Sequence, residues 1–133
     1  MKISAIEGIG PAYAAKLAKA GIRSVEALLK NGATEKGRKE IEAATKISHA
    51  LILEWVNLAD LFRIKGIGSE FSDLLEEAGV DTVAELSKRV AANLYKKMDE
   101  VNQAKNLVNA MPGLKKVQSW IDQAKKLPKV VKY

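Results

Sequence analysis

The apolar residues of this chain recur at intervals of three and four, and runs that alternate apolar with polar residues are scarce. Intervals of three and four place apolar side chains on one face of an α-helix. One long stripe of this kind joins Leu51, Trp55, Leu58 and Phe62, behind Ser48 in the position of a helix cap. The pattern predicts an all-α fold.

A segment near the start of the chain returns almost intact in its second half. Residues 6–28 match residues 64–86, so that Gly8-Ile9-Gly10 becomes Gly66-Ile67-Gly68. Each copy predicts a glycine turn, a helix that ends at Gly21 or Gly79, and a second, short helix capped by Ser24 or Thr82. The matching core positions are Leu17, Val25 and Leu28 in the first copy and Leu75, Val83 and Leu86 in the second.

A Trp-bearing helix follows each copy, because residues 55–59 resemble residues 120–124. We therefore expect two tandem repeats, residues 1–63 and residues 64–133, packed together as one compact unit. The second repeat ends in a basic helix. Repeating helical units of about sixty residues are of a plausible size.

A Gly-apolar-Gly turn directly before a helix is suited to holding a phosphate oxygen on backbone N–H groups. In the first copy Gly10 stands at the N-cap and Pro11 at the first helical position, where the missing N–H of proline costs nothing. The turns are therefore the candidate binding sites.

These residues resemble the helix-hairpin-helix motif, in which Gly-Ile-Gly precedes a helix ending in Ala-Gly and a short helix that opens at Ser or Thr. Over nearly its whole length, the chain is most similar to the bacterial family called domain of unknown function 4332. The first resemblance implies binding to the sugar-phosphate backbone without sequence preference, through N–H groups of Gly8, Ile9 and Gly10 or of Gly66 and Gly68. The second implies no established biochemical role.

The formal net charge is +6, with an isoelectric point near 9.5, which suits a polyanionic partner. Its distribution is uneven. Residues 64–88 carry two basic and six acidic side chains, whereas residues 89–133 carry ten basic and three acidic ones. The basic character is therefore concentrated behind the second glycine turn.

The two copies differ in the charges around the turn. In the first copy Lys16, Lys19 and Arg23 could flank a phosphate, although only five residues precede Ile6, too few for a full leading helix. In the second copy Lys65 lies beside the turn, but Glu70 takes the positive helix end that a phosphate would occupy. The first copy is the better candidate.

The basic tail and the two tryptophans each allow two interpretations. The tail lysines could clamp a duplex or form ordinary solvated surface, and the pattern favours surface. Trp55 and Trp120 could stack on bases, but their helical spacing with neighbouring apolar residues favours buried core. The tail lysines are Lys115, Lys116, Lys125, Lys126, Lys129 and Lys132.

The chain has no His or Cys dyad, and its acidic residues lie on amphipathic helices with no identifiable apolar pocket to tune them. The chain has no Cys, and its single His, His49, predicts surface or a helix cap rather than a zinc ligand. Residues 32–39 have the glycine spacing of a P-loop but lack its Lys and Ser or Thr, so we expect a loop between short helices. We predict no enzyme, no metal site and no cofactor.

Several features bear on location. The absence of Cys fits a reducing cytoplasm, and no apolar stretch has the length of a membrane span. The repeat begins within a few residues of Met1, which leaves no room for an export leader. We expect a cytoplasmic protein that does not enter a membrane.

Two functions remain open. The leading hypothesis is a non-enzymatic protein that binds double-stranded or branched DNA by its phosphates, since the turn directs no side chains at base edges. The alternative is a protein-interaction adaptor or scaffold, in which the hairpins are purely structural and opposite charge blocks drive self-association or partner binding.

Overall fold

The computed structural model describes all 133 residues, and every regular element is helical. A 3₁₀ turn, Ile3–Ala5, precedes eight α-helices, and the isolated antiparallel bridge Lys2 to Ser24 is the sole β-type pairing. The predicted all-α class is confirmed. The helices are α1 Pro11–Lys19, α2 Val25–Gly32, α3 Glu35–Thr45, α4 His49–Leu61, α5 Ser69–Glu77, α6 Val83–Leu86, α7 Ala91–Lys105 and α8 Leu114–Lys126.

The contacts divide the chain into two compact units. The first comprises Met1–Asp60 together with Val130–Tyr133, and the second comprises Leu61–Lys129. The sequence places the end of its first repeat at residue 63, and it does not indicate that the last four residues belong with the first unit.

Corresponding residues begin the corresponding helices of the two units. Gly10 and Gly68 are the extended N-cap residues of α1 and α5. The hydroxyl of Ser24 accepts from the N–H of Ala27 at the start of α2, as Thr82 accepts from Glu85 at the start of α6. The predicted caps at Ser24 and Thr82 are therefore confirmed, and each of these two hydroxyls satisfies a backbone donor that the helix leaves open.

The two hairpin helices end in the same way. Gly21 and Gly79 have φ of +83° and +95°, which a side chain tolerates poorly. The N–H group of the residue after each glycine donates to the carbonyl of Leu17 or Leu75, in both cases at 2.9 Å. This pattern is the Schellman motif, and it confirms the glycine stops expected from the sequence.

The core of each unit contains its tryptophan and the core positions that the repeat predicts. Trp55 and Trp120 are 0% and 1% exposed, so their assignment to buried core is confirmed. All six matched positions are also buried, namely Leu17, Val25 and Leu28 in the first unit and Leu75, Val83 and Leu86 in the second.

The P-loop-like segment contains the loop predicted between two helices, but only Ala33 and Thr34 form it, and the rest of the segment is helical. Gly32 ends α2, and α3 begins at Glu35 after a cap in which the Thr34 hydroxyl accepts from the N–H of Gly37. The reason is that Thr34 supplies a helix start that glycine spacing alone conceals.

Arg38 in this helix is buried, and its guanidinium holds the end of the chain. It donates to the carbonyls of Gly32 at 2.8 Å and of Lys132 at 2.7 Å. The N–H of Lys132 donates to the carbonyl of Ala33 at 2.8 Å, and Val131 is buried. The last four residues thus complete the first unit.

Candidate nucleic-acid interface

The first hairpin, residues 6–10, is anchored by its isoleucines and exposes its glycines. Ile6 and Ile9 are buried, and the N–H of Ile9 donates to the carbonyl of Ile6 at 3.2 Å. Gly8 has φ of +94° and is exposed, as is Gly10. Ile9 therefore fixes the turn, and its N–H is used within it.

The N–H groups of Gly8 and Gly10 donate to no atom of the protein. They lie where the chain enters α1, whose first turn contains Pro11 and no acidic side chain. Backbone dipoles make the start of a helix partly positive. Two free donors at such an end are suited to an anionic oxygen.

Of the three predicted cations, Lys16 lies over an aromatic ring in the first turn of α1. Its Nζ lies 5.9 Å from the centroid of the Tyr13 ring. Lys19 and Arg23 are exposed and form no hydrogen bond or ion pair. The backbone of Lys2 pairs with Ser24, which adds a further exposed lysine beside the segment that carries Arg23.

A carboxylate also lies within this turn. Glu7 is exposed, and the matching residue of the second hairpin is Lys65. The charge at this position therefore opposes a phosphate in the first hairpin and favours one in the second.

The second hairpin, residues 64–68, repeats the backbone geometry of the first. Gly66 has φ of +96°, and the N–H of Ile67 donates to the carbonyl of Ile64 at 3.2 Å. The N–H groups of Gly66 and Gly68 also donate to no protein atom. Glu70, however, lies in the first turn of α5 and competes for its positive end.

A side-chain clamp distinguishes the second hairpin from the first. The amide of Gln123 in α8 accepts from the N–H of Lys65 at 2.9 Å and donates to the carbonyl of Lys65 at 3.2 Å. Its counterpart after Trp55 is Leu58, which cannot form these bonds. The backbone of Lys65 is therefore held by a side chain from α8. The sequence shows that Gln123 replaces Leu58, but it does not show that Gln123 reaches Lys65.

Each hairpin helix nevertheless has a lysine over its first aromatic ring. Phe71 corresponds to Tyr13, and the Nζ of Lys116 lies 5.8 Å from the Phe71 ring. Lys16 has no basic counterpart in α5, where Leu74 stands at that position. In the second unit the cation comes from α8 instead, so Lys116 has a local role that its assignment to the tail missed.

A tryptophan lies directly against each glycine turn. A Cβ atom at Gly8 would be 3.3 Å from Nε1 of Trp55, and one at Gly66 would be 3.0 Å from Nε1 of Trp120. The rings also pack on the aromatic residues of the hairpin helices, with centroids 5.0 Å apart for Tyr13 and Trp55. The glycines are thus required by close approach as well as by φ.

Two further groups of polar side chains lie outside the hairpin turns. His49 is exposed, with Nδ1 3.7 Å from a carboxylate oxygen of Glu42, as expected for a surface residue. Asp73, Glu76 and Glu77 bring carboxylates together on α5. Glu77 pairs with Lys105, whose pKa it raises by accepting a hydrogen bond from the ammonium group.

The tail lysines lie at the surface, where either of their two interpretations would place them. All six are exposed, on α8 or beyond it, and they form no ion pair. None of the helices combines the length and the apolar character that a membrane span needs.

These features define an all-helical protein with two Gly-Ile-Gly turns, each of which packs against a tryptophan. The chain belongs to the family described as Domain of unknown function (DUF4332), whose model matches residues 7–127. No curated protein and no solved structure matches the chain.

Proposed function

We propose that the protein is a non-enzymatic, helix-hairpin-helix-type binder of the DNA sugar-phosphate backbone, and that its first hairpin is the main contact. The observation that carries the proposal is the pair of free N–H donors at Gly8 and Gly10, exposed at the positive end of α1. Phosphate oxygens are the ligands that such a helix end accommodates best.

The charges of the first hairpin support this assignment. Lys16 lies near the first turn, Lys19 follows one turn later on the same face of α1, and Arg23 is exposed beyond the helix. Lysine and arginine that neutralise phosphates release condensed counterions and so raise affinity. Together they supply a cationic flank to the two donors.

The second hairpin has a lesser role in this proposal. Its glycine donors are free, and Lys116 lies near its first turn. Against this, Glu70 occupies the helix end, and Gln123 holds the backbone of Lys65. The first hairpin lacks both obstacles, although it carries Glu7.

The expected ligand is double-stranded or branched DNA, read without sequence preference. Backbone amides and flexible lysines contact phosphates, which carry no direct sequence information. Such binding places the protein in the cytoplasm with its ligand, in keeping with a chain that lacks Cys.

Fluorescence anisotropy with a labelled duplex tests the proposal. The double variant Lys16→Glu with Lys19→Glu should lower affinity by about tenfold or more, because two attractive charges become repulsive. The matched control is Lys96→Glu with Lys97→Glu, which makes the same charge change on exposed residues of α7. Circular dichroism should report unchanged helicity for both variants.

Three outcomes would count against the proposal. Absence of duplex binding at low salt would reject it. Equal losses in the two double variants would reject the first hairpin as the contact. Concentration-dependent mass in light scattering, without affinity for DNA, would favour the adaptor function instead.

A further inference from the structure

The first hairpin leaves a buried side-chain donor without an acceptor. Nε1 of Trp55 is closed to solvent and forms no hydrogen bond, in a side chain that is wholly buried. An unpaired buried N–H is unfavourable, and folded proteins satisfy nearly all such groups. This indole therefore requires an explanation.

Two contacts locate this donor. The rings of Tyr13 and Trp55 meet edge to face, with an interplanar angle of 64°. Nε1 lies 3.3 Å from the place where a Cβ of Gly8 would stand. The donor thus lies against the turn, next to a residue that is exposed and whose own N–H is free.

Gly8 controls access to this position. A side chain at this position would lie against Nε1, whereas glycine places no side-chain atom there. Because glycine also tolerates a wide range of φ and ψ, the turn can shift slightly without steric cost. Contact between Nε1 and a ligand requires such a shift, because the atom is closed to solvent.

We infer that the indole N–H of Trp55 is a third donor of the first hairpin, and that it binds an oxygen of the same DNA phosphate that the amides of Gly8 and Gly10 hold. The inference rests on the proposed function. Each phosphate oxygen accepts more than one hydrogen bond, and bonds to a charged acceptor are stronger than neutral ones. DNA binding then satisfies the buried side-chain donor that folding leaves unpaired in the hairpin, together with the two exposed amides.

Heteronuclear NMR on the wild-type protein tests the inference directly. The two indole N–H signals, from Trp55 and Trp120, can be assigned with the variant Trp120→Phe. On titration with unlabelled duplex at low salt, the Trp55 indole proton should move downfield and exchange more slowly with water. The amides of Gly8 and Gly10 should move with it, and the Trp120 indole serves as the internal reference.

The possible results separate the inference from the proposed function. If the amides of Gly8 and Gly10 move and the Trp55 indole does not, the hairpin binds phosphate without the indole and the inference is wrong. If none of the three moves, the proposed function fails as well.

Affinity measurements give a second readout. Trp55→Phe removes the donor but retains an aromatic ring, so it should weaken duplex binding by about tenfold. Trp120→Phe is the matched control and should change affinity by less than about twofold. Equal affinity of a folded Trp55→Phe variant and wild type would overturn the inference; if the variant loses its helical signal, the wild-type titration decides.

Discussion

At the scale of single residues, the two glycines of the first hairpin serve different purposes. Gly8 is in the left-handed region at φ of +94° and lies against the Trp55 indole, so both backbone and space demand glycine. Gly10 has φ of −86°, and a Cβ there would meet nothing within 4 Å. The two positions hold the same residue, but only Gly8 is restricted to glycine by its φ angle and by the nearby indole.

This difference predicts unequal stability effects. Gly8→Ala should lower the free energy of unfolding by about 1–3 kcal/mol, because alanine is strained at this φ and crowds Nε1 of Trp55. Gly10→Ala should lower it by less than about 1 kcal/mol, because a Cβ there meets nothing, although alanine is a poorer N-cap than glycine. Urea denaturation of the two variants measures both values, and similar losses would show that the turn does not discriminate between them.

At the scale of secondary-structure elements, the two hairpin helices differ in the charge of their first turns. The first turn of α1 has no acidic residue, whereas that of α5 contains Glu70. A carboxylate in this position stabilises the helix and repels a phosphate at its positive end. The second hairpin is thus favoured as a structural element and disfavoured as a contact.

Glu70→Lys tests whether the second hairpin can approach DNA. If the free amides of Gly66 and Gly68 meet phosphate, reversing this charge should raise duplex affinity severalfold, because repulsion becomes attraction. Glu100→Lys, at an exposed position in the middle of α7, is the matched control. Anisotropy titrations that give the same increase for both variants would restrict the specific contact to the first hairpin.

Arg38 connects α3 with the last residues of the chain. Its buried guanidinium donates to the carbonyls of Gly32 and Lys132. Arg38→Ala should destabilise the protein by about 2–4 kcal/mol, since buried acceptors lose charged donors and a cavity opens. Arg23→Ala, an exposed control, should cost less than about 0.5 kcal/mol. Thermal unfolding that shifts equally for the two would contradict a structural role for Arg38.

At the scale of the whole molecule, the net charge of +6 shapes any interaction with nucleic acid. Much of this charge lies on exposed lysines of α7, α8 and the tail, away in sequence from the hairpin turns. Such lysines attract any polyanion, whereas the free amides act only at close range. Under the proposed function, we therefore expect the total affinity for DNA to combine a general electrostatic contribution with a contribution from the first hairpin.

The salt dependence of binding separates these terms. For about two to four neutralised phosphates, the logarithm of the association constant should fall with the logarithm of salt concentration at a slope of about −2 to −4. Replacing Lys16 and Lys19 should make this slope shallower by about two. An anisotropy series across salt concentrations measures both slopes, and a slope near zero for wild type would contradict phosphate binding.

The sequence by itself determined the helical class, the glycine stops at Gly21 and Gly79, the caps at Ser24 and Thr82, and the burial of both tryptophans. These features depend on local periodicity and on the backbone preferences of single residues, which a sequence states directly. The repeat also located both glycine turns.

The tertiary structure alone decided which chemical groups meet at each turn. Three of these contacts bring together residues that are far apart in sequence. They are the hydrogen bonds of Gln123 to Lys65, the packing of Lys116 over Phe71, and the contact of the unpaired Trp55 indole with Gly8. The burial of Arg38 can be partly inferred from the sequence, since it shares a helical face with Ile41 and Thr45. Its hydrogen bond to the carbonyl of Lys132 cannot be inferred in this way. Contacts of this kind arise when helices pack together, and local spacing contains no information about which helices will meet.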